Sequence, residues 1–104
     1  MASESTLEQI KQRLNPGAQL NAVYALELDG ISYTLDLRNS GVGMLQGKPT
    51  QHGLTAVSSL ILSEKHLLEL ASGKLNVVLA LLSGKLKVQG DLSEAKRLGR
   101  LLRG

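Results

Sequence analysis

The stretch Ser72–Gly90, SGKLNVVLALLSGKLKVQG, decides how the rest of the chain is read. It states one phrase twice, SGKLNV at residues 72–77 and SGKLKV at residues 83–88, eleven residues apart. Between the copies runs Val77–Leu82, six apolar residues without a charge. Asn76 is a helix-capping residue in front of that run, and Ser83-Gly84 is a stop behind it. A run of this length also suits a buried strand, and periodicity does not decide between the two. Being apolar all round, it is expected in a core or in the wall of an apolar cavity. Lys85–Gln89 behind it alternates polar and apolar, the pattern of a half-buried strand. The doubling is either an internal duplication or two Ser-Gly helix stops with similar neighbours.

Downstream, Asp91 or Ser93 opens a helix through Leu102. Its apolar side holds Leu92, Ala95, Leu98 and Leu102, and Lys96, Arg97, Arg100 and Arg103 lie on the other. Upstream, Ser63 caps a helix over SEKHLLELASG, with Leu67, Leu70 and Ala71 in one stripe, Leu68 beside it and Gly73 as its end. Leu54–Ser63 before it reads as a strand with Ser58, Leu60 and Leu62 on one face, and Gly47–Gly53 as a loop. Further back, Tyr24, Leu26 and Leu28 alternate with polar or small residues, as do Ile31, Tyr33, Leu35 and Leu37. Asp29-Gly30 between these runs is a hairpin signal. Asn39-Ser40-Gly41 then turns the chain into a third strand, Val42–Gln46, completing a meander with one apolar and one polar face. At the start, Ser5 and Glu8 form a capping-box pattern before Leu7, Ile10 and Leu14, and Pro16-Gly17 stops that helix near Asn15. This order predicts an α+β fold, a mostly antiparallel five-stranded sheet with helices covering one face.

The chain's 104 residues predict a single domain, 1–104, able to bury a core without staples. With no cysteine there is neither a disulfide framework nor a thiolate metal site. The polar, acidic opening MASESTLEQI lacks a signal peptide's apolar region, and no apolar run reaches the length of a membrane span. A soluble, cytoplasmic protein is expected. Its net charge of +3 is unevenly placed: residues 85–104 hold six basic and two acidic side chains. Tyr24 and Tyr33 are the only aromatics, which argues against a nucleic-acid partner, because single-strand platforms need aromatic faces.

No constellation for catalysis stands out. His52 and His66 lack ligand spacing, so no metal and no cofactor are expected. Ser72-Gly73-Lys74 and Ser83-Gly84-Lys85 lack the remainder of a phosphate loop, and there is no nucleophile elbow. An enzyme is not expected. The basic face of the last helix is ordinary solvated surface at a helix C-terminus, or a contact for anionic membranes worth about 1 kcal/mol per cation, or, with no recognised motif behind it, a contact for duplex phosphates.

With these segments in order, the chain resembles the sterol carrier protein 2 (SCP-2-like) lipid-transfer domains over essentially its whole length. The likeness rests on Gly73–Asn76, the apolar Val77–Leu82, Gly84–Lys87, the turn Gly90-Asp91 and the closing helix Ser93–Leu102. The opening helix and the tyrosine-bearing meander agree with it. Three departures stand out: Val77 where many members have Pro, Val57 where many have Asp, and Leu67, Leu81 and Leu82 where aromatics are frequent. Peroxisomal members end in a Ser-Lys-Leu-like tripeptide, whereas this chain ends Leu-Arg-Gly.

The resemblance implies non-catalytic binding and transfer of a sterol, fatty acid or fatty acyl-CoA in an apolar tunnel between helices and sheet. Its walls would be Tyr24, Leu26, Tyr33, Leu35, Met44, Leu60, Leu62, Leu67, Leu70, Ala71, Val78, Leu81, Leu82, Leu98 and Leu102. Lys96, Arg97, Arg100 and Arg103 would touch an anionic membrane transiently, from a monomer or weak dimer. From the residues alone, the same aliphatic set could be a filled core, and the chain an interaction, dimerisation or accessory module.

Overall fold

The computed structural model describes residues 4–14, 21–38 and 43–103. Its elements, in order, are α1 (Glu4–Leu14), β1 (Val23–Leu28), β2 (Ile31–Asp36) and β3 (Gly43–Gln46). A 3-10 turn (Pro49–His52), β4 (Ser58–Leu62), α2 (Glu64–Ser72), α3 (Val77–Leu82), β5 (Leu86–Gly90) and α4 (Leu92–Arg103) complete it. The five strands form one sheet in the order β3-β2-β1-β4-β5. All neighbours are antiparallel except the central pair β1 and β4, which run parallel.

The hairpin forms where Asp29-Gly30 predicts it. Both residues have positive φ, 51° and 82°, the twist that suits a two-residue turn, and Leu28 pairs with Ile31 across it. The parallel central pair is not foreseen from the sequence. It sets Tyr24 beside Ser58, Leu26 beside Leu60 and Leu28 beside Leu62, all buried on one face. Helices α1, α2 and α4, with the inner side of α3, cover that face: Ile10, Leu14, Leu67, Leu70, Ala80, Ala95 and Leu98 join one core with Leu35 and Leu86. On the opposite face Ala25, Glu27, Ser32, Ser59 and Ile61 are half-buried. Thr34, expected on an open polar face, is fully buried there and donates from Oγ1 to the Gly47 carbonyl at 2.9 Å.

The doubled phrase folds in two ways. Each Ser-Gly ends a helix, with Gly73 at φ 82° and Gly84 at φ 75°, so both glycines meet the left-handed requirement of a helix stop. The residue three positions after each glycine separates the copies. Asn76 accepts a hydrogen bond from the Leu79 N–H at 2.8 Å and starts α3. Lys87, the equivalent residue, offers no cap, and Leu86–Gly90 pairs with β4 instead.

Several boundaries differ from expectation. Helix α1 begins at Glu4, so Ser5 lies inside it, with its hydroxyl accepting from Gln9 Nε2 at 3.4 Å. The expected stop at Asn15–Gly17 and the turn at residues 39–41 fall outside the described residues, as does Val42 at the head of the third strand. The predicted loop Gly47–Gly53 contains the 3-10 turn, and β4 is shorter than Leu54–Ser63. Ser63 caps α2 as predicted, accepting from the His66 N–H at 3.1 Å. Asp91 caps α4, accepting from the Ser93 N–H at 2.8 Å, which places Leu92 on the outside at 42% exposure.

Candidate functional site

The helix-facing side of the sheet is closely filled. Leu26, Leu35, Leu60, Leu67, Leu70, Leu98 and Leu102 have essentially no accessible surface, and Tyr24, Tyr33, Leu62 and Ala71 are buried with them. Met44 and Leu81 pack partly buried against this cluster. Two hydroxyls in it are unsatisfied: Tyr24 Oη and Ser58 Oγ, neighbours across β1 and β4, have no hydrogen-bond partner among the described residues. Burial first, then the nearby Glu94 carboxylate, pushes the Tyr24 phenol up to about 12; Arg97 pulls against them and Asp91 adds to them.

At the edge of this layer, α3 and α4 leave a groove of about 360 Å³. Its apolar part is Leu70, Val77 and Val78, with Gly99 of α4. Leu70 and Val77 also belong to the core, so the groove ends on the core itself. Gly99 allows the close crossing, since a Cβ there would lie 2.5 Å from Cγ2 of Val77. Lys96, Arg100 and Arg103 follow the i, i+4, i+7 rise of α4 and line the same groove. No carboxylate lines it, and none of the three has an ion pair among the described residues. The groove therefore offers an apolar floor under a positive rim.

A second concavity of about 370 Å³ lies between the outer face of the sheet and the segment after β3. Its lining mixes Glu27, Lys48 and Gln89 with Ala25 and Ile61 and also borders the core residues Leu26, Tyr33 and Leu60, but it lacks the single charge sign of the groove. Among the described residues no group of three or more His, Cys, Asp or Glu could hold a metal. No helix among them is long and apolar enough to cross a membrane.

The structure divides the residues singled out from the sequence. It gathers the core set named above, but it does not bring Val78 and Leu82 inside. They are 48% and 80% exposed, and Leu79 beside them is 55% exposed. A single turn and a half of helix at the edge of the fold buries only Val77 and Ala80 fully, so an apolar run does not have an apolar environment all round. Arg97 also parts from the other cations, being paired with Glu94 at 2.6 Å and absent from the groove. His52 contacts the Gln46 carbonyl at 2.8 Å, and His66 is half-buried on α2. Sequence reasoning missed Arg13. It donates from Nη1 to the carbonyls of Ala71 at 2.7 Å and Leu102 at 3.4 Å, holding the ends of α2 and α4 together. Its position in the last turn of α1 was the available signal, since cations there seek carbonyls.

The model of the SCP-2 sterol transfer family matches residues 4–103. The chain belongs to that family. Hydroxysteroid dehydrogenase-like protein 2 of Bos taurus is 32% identical over 106 residues, which cover 97% of this chain and 25% of that protein. The chain thus spans about a quarter of the length of such curated relatives. Among solved structures, sterol carrier protein 2 from Yarrowia lipolytica in its apo form is 28% identical, with a TM-score of 0.63 over 97% of this chain and 79% of that one. Sterol carrier protein-2 from Aedes aegypti, in complex with the C16 fatty acid palmitate, has a TM-score of 0.71 over 98% of this chain and 96% of that one. At 15% identity it shows the shared SCP-2 fold. The five-stranded mixed sheet with helices over one face is therefore the family's own.

Proposed function

We propose that this domain binds a sterol, fatty acid or fatty acyl-CoA between its helices and sheet and transfers it between membranes without catalysing a reaction. The observation that carries the reading is the groove between α3 and α4, whose floor is part of the core and whose rim is three cations with no ion-pair partner among the described residues. An acyl chain entering there would pass from the rim directly onto Leu70 and Val77. The packed core must part to receive it, with α4 the closing element. Family membership supports the same reading, as does the palmitate in the Aedes aegypti structure.

The energetics suit a carrier. Each buried methylene gains about 0.8 kcal/mol against water. A bilayer interior offers nearly the same, so exchange runs close to balance. Lys96, Arg100 and Arg103 would bring the groove to anionic membrane surfaces, with Arg97 left out because Glu94 neutralises it.

A second reading has its own support: the closely filled core suits an interaction module, used for dimerisation or as a partner of an enzyme. Native mass spectrometry of protein purified from cells separates the two. A carrier retains a ligand of acyl or sterol mass, whereas only the bare chain mass would leave the accessory role.

A further inference from the structure

The outer side of α3 has no partner among the described residues. Val78, Leu79 and Leu82 share that side at helical spacing, and all three stand exposed. Single exposed leucines are ordinary on a protein surface, but three on one side of a six-residue helix form a ridge. Val78 is at the same time a wall of the groove formed with Lys96, Arg100 and Arg103. Ridge and cations are therefore adjoining parts of one surface, contributed by two helices that cross at Gly99.

The occupant of such a surface has to satisfy both parts. A second copy of the chain fits poorly: stable protein interfaces engage roughly 20–30 residues a side and are depleted of lysine. Three side chains beside three cations that have no ion pair among the described residues do not supply that, and a copy would bring the same positive charges. An anionic bilayer complements both parts, because its head groups carry the opposite charge and its acyl boundary accepts shallow apolar side chains.

We infer that α3 inserts into anionic lipid surfaces, with Val78, Leu79 and Leu82 entering the acyl boundary while Lys96, Arg100 and Arg103 hold the head groups. The inference rests on the carrier reading of the groove and adds the bilayer-facing contact. It differs from attraction by charge alone in one measurable respect: part of the affinity persists when salt screens the cations.

The test uses the full chain and vesicles of phosphatidylcholine with or without phosphatidylserine. Leu79→Ser combined with Leu82→Ser should weaken sedimentation with phosphatidylserine vesicles about tenfold or more. Both positions are solvent-facing, so unchanged far-UV dichroism is expected. Leu82→Trp, in a chain with no other tryptophan, should shift its emission to the blue when those vesicles are added. Unaltered vesicle binding by the serine pair, or tryptophan emission that does not move, overturns insertion. A wild-type dimer that the serine pair abolishes likewise overturns it in favour of a second copy. Binding of a fluorescent fatty acid in vesicle-free solution keeps the two claims apart. If the wild type lacks it, the carrier reading fails while the vesicle results still report on α3. If it is intact and the serine pair still binds vesicles normally, insertion alone fails.

Discussion

Gly99→Ala tests the crossing on which the groove is built. In an exposed helix interior this change stabilises by about 1 kcal/mol, because alanine loses less backbone freedom than glycine. Here the new Cβ would lie 2.5 Å from Val77 Cγ2, against about 3.5–4.0 Å for an ordinary carbon–carbon contact. Valine on a helix is held near one χ1 rotamer and cannot swing clear, so α3 must move off α4. Overpacking of this kind costs about 1–3 kcal/mol. The net expectation is a loss of roughly 0–2 kcal/mol where intrinsic propensity predicts a gain. Val77→Ala alone should cost about 1.5 kcal/mol or more for two buried methylene equivalents. Together the two changes should be milder than their sum by at least about 1 kcal/mol, since Val77→Ala removes the overlap. Urea unfolding followed by far-UV dichroism, with equal m-values across the set, measures all four corners of the cycle. If Gly99→Ala stabilises by about 1 kcal/mol and adds linearly with Val77→Ala, the helices do not touch there and the groove floor is wrongly placed.

Tyr24 keeps its proton in the folded state up to about pH 12, while the unfolded chain releases it from its ordinary value of 10.0. Between those values the folded state binds more protons, so stability should fall as pH rises; Tyr24→Phe should flatten that fall in alkaline denaturation curves. Arg13→Ala should cost about 1–2 kcal/mol in chemical denaturation, because two helix-end carbonyls lose a charged donor. Replacing Lys96, Arg100 and Arg103 with Gln should slow transfer to anionic vesicles at low salt and leave neutral vesicles unaffected. Arg97→Gln should change transfer to neither kind of vesicle, since its charge is already paired with Glu94.

Legibility in the sequence tracked how local each determinant is. The Asp29-Gly30 turn, the Ser63 and Asn76 caps and the stripe Leu67, Leu70 and Ala71 are set by neighbours in the chain, and all appear where expected. The parallel pairing of β1 with β4 is a long-range choice that no local pattern announces. Val78 and Leu82 show the same limit. Apolar character states what a side chain prefers, while its exposure depends on whether other elements reach it, and no described element covers the outer side of α3. The cations of α4 were legible as a face, but only the crossing at Gly99 separates Lys96, Arg100 and Arg103 from Arg97. Thr34 and Arg13 escaped for a related reason: their partners, the carbonyls of Gly47, Ala71 and Leu102, are backbone groups of distant segments.

The central claim is that the helix–sheet layer takes up a lipid chain through the α3–α4 groove. Titration of delipidated protein with a fluorescent long-chain fatty acid, in solution without vesicles, addresses it most directly. Saturable binding, weakened when Val78→Trp fills the groove from its half-exposed wall while the fold persists by dichroism, is the predicted result. A linear, unsaturable signal from well-folded wild-type protein would contradict the claim and leave a filled core.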